Sequence, residues 1–119
     1  MNRDRLLFDA KQKALELAKG YEAPAPIEEI RLPGATGKFA LEMAVADLRK
    51  SGKATPHDVV VSNAVATVLS GGAKADWTAP VHEDDLYKLE REEFMKLVRH
   101  KDSQARIEHM LETGKPLRN

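Results

Sequence analysis

The chain has 119 residues, 42% apolar and 32% charged, with 19 Lys+Arg against 19 Asp+Glu and no cysteine. This composition excludes intrinsic disorder, gives no global attraction to nucleic acid or anionic lipid, and rules out a disulfide framework or a thiolate metal site. No apolar run approaches the ~20 residues of a membrane span, and the opening Met1-Asn2-Arg3-Asp4-Arg5 lacks the apolar core of a secretory signal.

The length predicts one domain over residues 1–119. Such a chain is expected to bury roughly 65% of its unfolded surface and to reside in the cytoplasm. The first helix is predicted over residues 4–19, capped by Asn2 or Asp4 and stopped by Gly20. Leu7, Ala10, Ala14, Leu17 and Ala18 fall on one stripe, widened by Phe8 and Leu15. Asp9, Lys13 and Glu16 occupy the opposite, solvated face. Residues 21–33 differ in kind. Pro24, Pro26 and Pro33 forbid a continuous helix, so this is an extended connector that pins Ile27, Ile30 and Leu32 to the core. A short edge strand over residues 28–31 would have no obvious strand partner.

Gly34-Ala35-Thr36-Gly37-Lys38 invites comparison with a phosphate loop, and the comparison fails. That loop needs four residues between its glycines and Ser or Thr after the lysine. Here two residues separate the glycines and Phe39 follows, so the segment is a turn and a helix start. The second helix spans residues 37–50, with Phe39, Met43 and Leu48 near one face, and Gly52 closes it.

Thr55-Pro56-His57-Asp58 is the strongest local signal. Thr55 is an N-cap, Pro56 occupies the first helical position, and the Asp58 carboxylate answers both the cap and the helix dipole. The third helix follows over residues 56–70 and ends at Gly71-Gly72. Val59, Val60, Val61, Ala64, Val65, Val68 and Leu69 make it apolar around much of its circumference, so it should be the most buried element. Residues 73–81 form a loop holding Trp77 and Pro80.

The fourth helix starts near His82 or Glu83, with Val81 stapling onto its first turn. Leu86, Leu89, Phe94, Leu97 and Val98 form its buried stripe. Acidic residues 83–85 at its start and basic residues 99–101 at its end complement the dipole. A fifth helix, capped by Asp102 or Ser103, carries Ile107, Met110 and Leu111 and stops before Gly114. The fold class is therefore all-α, about five helices in a small irregular bundle with a Pro-rich extended connector.

No self-sufficient catalytic motif is present. Among His57, His82, His100 and His109 no pair has the i, i+4 spacing of a helical metal site, so no metal ligand is assigned. Helix capping accounts for His57 and Asp58. The carboxylates of residues 83–85 and 90–93 lie on solvated faces, and no Ser or Thr sits in a nucleophile elbow. No catalytic residue is assigned.

Several segments carry a resemblance. These are Asp4-Arg5-Leu6-Leu7, Ala14-Leu15-Glu16-Leu17-Ala18, Thr55-Pro56-His57-Asp58, Leu69-Ser70-Gly71-Gly72, Glu83-Asp84-Asp85-Leu86 and the terminal run from His109 to Asn119. Together they resemble the C-terminal end of bacterial bifunctional fatty-acid oxidation proteins. In that family a 3-hydroxyacyl-CoA dehydrogenase is joined to an enoyl-CoA hydratase (crotonase-like) domain. The resemblance implies a non-catalytic C-terminal fragment of a much longer, oligomeric enzyme, with Met1 an internal methionine. The parent's dehydrogenase and crotonase-like domains would be its partners, and NAD and acyl-CoA the parent's cofactor and substrates. The fragment itself would hold no cofactor, since the Gly-x-Gly-x-x-Gly of an NAD site is absent.

The last two helices also resemble the crotonase tail, which packs over the acyl-CoA site. On that likeness Met110 stands at the tail's aromatic position. Thr113 and Gly114 replace its first two basic residues, and Lys115 keeps the last. Lys115 is thus the only candidate CoA contact. Helices shaped to cover an absent domain should leave an exposed apolar face that favours self-association. The alternative is a stand-alone helical protein-interaction module using an apolar groove.

Overall fold

The computed structural model describes residues 3–72 and 75–119. Five helices follow one another: α1 (Arg3–Leu17), α2 (Gly34–Lys50), α3 (Pro56–Ser70), α4 (Glu83–Val98) and α5 (Lys101–Thr113). The fold is all-α, a small helical bundle. Among the described residues the extended backbone makes only one isolated antiparallel bridge.

That bridge answers the question of the connector. The Ile30 N–H donates to the Val81 carbonyl at 3.0 Å, and the Val81 N–H returns the bond at 2.9 Å. The partner of the expected edge segment is thus Val81, two residues before α4. The Glu83 N–H adds a bond to the Ile27 carbonyl at 3.2 Å. Together these tie the proline-rich stretch to the start of α4.

Several boundaries shift. α1 ends at Leu17, with a turn through Gly20 rather than helix to Lys19. Asn2 lies outside the described residues, as does Ala73 of the expected loop. Asp4 falls inside the helix, not before it. α2 begins at Gly34, a turn earlier than Gly37, because Pro33 already carries a helical φ of −74°. Both glycines of this turn have steric reasons to be glycine. Gly34 has φ +60°, and a Cβ there would sit 2.8 Å from the Ala75 carbonyl oxygen. A Cβ on Gly37 would run into the Pro33 ring.

Histidine imidazoles cap the last two helices. His82 Nδ1 accepts from the Asp84 N–H at 3.1 Å, fulfilling one of the two expected starts of α4. His100 Nδ1 accepts from the Asp102 N–H at 3.3 Å, so the cap of α5 is His100 and not Asp102 or Ser103. In both, a ring nitrogen does the work of the usual cap oxygen.

α3 packs between α2 and α4, and α5 continues from α4. α3 is the most buried element, as expected: His57, Ala64, Ala66 and Ser70 are all enclosed. The core is small nonetheless. Its buried apolar residues are Ala54, Ala64 and Ala66. Several large side chains predicted to be inside are open: Leu7 of α1, Phe39 of α2, Phe94 of α4 and Leu111 of α5 are exposed, whereas Leu86, Leu89, Leu97 and Val98 of the α4 stripe are half-buried. Every residue from 5 to 29 is exposed, so the α1 stripe covers nothing.

The surface measures this shortfall. A compact chain of 13.2 kDa exposes about 6,400 Å², whereas this one exposes 9570 Å². About half of the unfolded surface is buried, not roughly 65%. The radius of gyration is 20.0 Å, against about 13.5 Å for a compact chain of this length.

Candidate functional site

Two places concentrate chemistry: a polar cluster where α5 and the C-terminus meet the start of α3, and an apolar groove between α3 and α4.

The polar cluster grows from the capping box. Thr55 Oγ1 accepts from the Asp58 N–H at 3.1 Å, and the Thr55 N–H donates to Asp58 Oδ2 at 2.8 Å. This is the box read from the sequence. Its other half was not legible. Arg106 Nη2 donates to Asp58 Oδ1 at 2.8 Å and to Thr55 Oγ1 at 3.1 Å. Arg106 Nε donates to Asn119 Oδ1 at 2.7 Å. One guanidinium therefore joins α5, the α3 cap and the last residue, and its fork geometry suits that task. Asn119 Nδ2 donates in turn to the Asp102 carbonyl at 3.2 Å. The Thr55 N–H first, and Arg106 second, hold the Asp58 carboxyl down at about 2, well below its ordinary value.

His57 sits beneath this cluster, 1% exposed. It takes no part in the capping box, contrary to the sequence reading. Its Nε2 bonds Ser103 Oγ at 2.9 Å, and its ring stacks on His100 with centroids 4.8 Å apart. Burial first, then the nearby Arg106 charge, lowers its pKa, so the ring is neutral near pH 7. Ser103, His57 and Asp102 carry the residue types of a nucleophile–base–acid set, but the geometry does not support one. Asp102 Oδ2 stands 3.9 Å from His57 Nδ1, beyond hydrogen-bonding range. The arrangement clasps two helices.

One sequence signal could have exposed this clasp. On α5, Ser103 and Arg106 share the i, i+3, i+4, i+7 face of Ile107 and Met110, and polar residues set on an apolar stripe call for a polar partner. His82 and His109 lie elsewhere. Lys115 is exposed just past the α5 stop, and among the described residues it forms no ion pair. Its N–H donates to Thr113 Oγ1 at 3.2 Å.

The groove has a volume of about 480 Å³ and is lined by Val65, Val68, Leu69, Tyr87, Phe94 and Leu97. Phe94 is 59% exposed and Leu69 56%. Glu90, Arg91 and Glu93 rim it. An apolar surface with a charged rim is the pattern of a protein contact.

Fold and site together define a helical module with an uncovered apolar face, held at one end by a polar clasp. No family model and no solved structure matches the chain. Over all of its 119 residues it is 40% identical to a curated protein of Bacillus subtilis (strain 168) named "Probable 3-hydroxyacyl-CoA dehydrogenase". The chain spans 15% of that relative's length. No helix among the described residues is long and apolar enough to cross a membrane.

Proposed function

We propose that this chain is a non-catalytic helical part of a longer fatty-acid β-oxidation enzyme of the 3-hydroxyacyl-CoA dehydrogenase type. It packs through the α3–α4 face against the acyl-CoA-binding portion and helps its domains or subunits associate. The observation that carries this reading is the uncovered apolar surface. The chain exposes about 3,000 Å² more than a compact fold of its mass, and the large apolar side chains left open include Leu69 and Phe94 of the α3–α4 groove. Permanent interfaces bury from about 2,000 Å² counted over both partners, or about 1,000 Å² on each, so covering only part of this excess would suffice. The likeness to a protein named as a dehydrogenase, at 40% identity, supports the choice of parent.

On this reading the crotonase-like domain is one partner, and NAD and acyl-CoA belong to the parent. Lys115 is the candidate CoA contact, and the enzyme works in the cytoplasm. The genomic reading frame tests the proposal directly. A frame that runs on upstream of Met1 into dehydrogenase- or hydratase-like sequence supports it. A frame starting at Met1 behind its own ribosome-binding site would instead mark a stand-alone interaction module. For Lys115 the test is CoA affinity of the longer protein. Lys115→Ala should weaken it several-fold, and unchanged affinity removes the residue from the site.

A further inference from the structure

The buried histidine of the clasp has one feature that helix packing does not explain. Among the described residues, His57 Nδ1 is enclosed without a hydrogen-bond partner. Such orphaned atoms are rare in folded proteins and call for a specific cause. Facing it is Asp102 Oδ2 at 3.9 Å, and the same oxygen stands 3.8 Å from His100 Nδ1. The three potential donors lie within 4.8 Å of one another.

We propose that His57, His100 and Asp102 form a binding site for a divalent transition-metal cation, with two imidazoles and one carboxylate as ligands and a further position open to water. This does not rest on the β-oxidation reading. Two imidazoles and a carboxylate are a familiar ligand set for zinc-like ions, bound at about 2.0–2.2 Å. Donors around a tetrahedral ion of that size stand about 3.4 Å apart. The two spacings to Asp102 Oδ2 need to close by about 0.5 Å, and the wider separation between the two imidazole donors, within 4.8 Å, by up to about 1.4 Å.

The exposed partners are the ones with room to move. The side chains of His100 and Asp102 are 43% and 53% exposed, while His57 is fixed by packing. Ser103 supplies the outer support. When His57 Nε2–H donates to Ser103 Oγ, the lone pair falls on Nδ1, facing the carboxylate. Two acceptors then oppose each other, and a cation between them removes the conflict. Arg106, the nearest fixed positive charge, is already matched by Asp58. Binding has one cost: His100 Nδ1 gives up its cap bond to the Asp102 N–H. The bound ion would replace that bond by tying the starts of α3 and α5 together.

The test uses the full chain, freed of metal with a chelator and titrated with zinc chloride. Calorimetry should give one ion per chain with micromolar affinity, and the His57 ring nitrogens should shift in nitrogen-detected NMR. His57→Ala is a poor probe because it opens the clasp. The exposed ligands are better: Asp102→Asn and His100→Gln should each weaken binding about tenfold or more, in line with the loss of one ligand. His82→Gln should leave it unchanged. No binding below millimolar zinc, unchanged affinity in both ligand variants, or His57 resonances indifferent to zinc would each overturn the proposal.

Discussion

Phe94→Ala separates a residue that serves the chain's own core from one that serves a partner. An aromatic side chain offers about 200 Å² for burial. Phe94 is 59% exposed, so roughly 120 Å² of it awaits cover and about 80 Å² is already covered. At ~25 cal/mol per Å², the covered share contributes about 2 kcal/mol to the chain itself. The open share is worth about 3 kcal/mol on docking, or roughly a hundredfold in affinity. The assay supplies the rest of the longer enzyme as a separate polypeptide and measures its affinity for the chain with and without the substitution. Urea unfolding of the chain alone is measured in parallel. The expected result is a large loss of docking and a smaller loss of intrinsic stability. An affinity held within twofold, beside a full core-sized loss of about 4 kcal/mol in the chain, would show that Phe94 is an internal residue. The docking argument would then fail.

The open apolar face also predicts that the chain alone self-associates as its concentration rises; strictly monomeric light scattering at high concentration counts against this. Thr55→Ala removes the α3 cap and one bond to Arg106, and should lower stability by about 1 kcal/mol in thermal or urea unfolding. Gly34→Ala combines a φ of +60° with a 2.8 Å approach to the Ala75 carbonyl oxygen, and should cost at least about 1–2 kcal/mol.

Acid should loosen the clasp in two stages, read from urea midpoints against pH. His57 is held below its ordinary 6.5, chiefly by burial. The unfolded chain therefore takes the proton first, and stability falls as the pH drops below 6.5. Asp58 is held at about 2 against an ordinary 3.8, first by the Thr55 N–H and then by Arg106. Its contribution is complete above 3.8 and disappears as the pH falls through about 2. Asp58→Asn should flatten the lower stage. A midpoint indifferent to pH across that window would contradict the clasp.

What the sequence determined by itself is local. Prolines 24, 26 and 33 exclude helix from the connector, and Thr55-Pro56-x-Asp58 starts α3. The 3.6-residue periodicity calls for five helices, and Gly71 and Gly114 end two of them in left-handed turns. These features depend on contacts within about one helical turn, so a single chain read in order contains them. Even here the His100 cap of α5 is hard to read, because a histidine before a helix carries a weaker signal than the Asp102 and Ser103 that follow it.

Tertiary structure alone decided which faces are covered. Periodicity marks a face as apolar, but it does not say whether this chain supplies the cover. α1 keeps its stripe and packs it on nothing, while α3 buries small residues between two neighbours. Several pairings join residues far apart in the chain, among them Ile30 with Val81, Arg106 with Asp58, and His57 with Ser103. Each needs a particular placement of one helix against another, and no local propensity encodes that placement. For the same reason the candidate metal ligands went unseen, since no spacing within one helix brings His57 to His100 and Asp102.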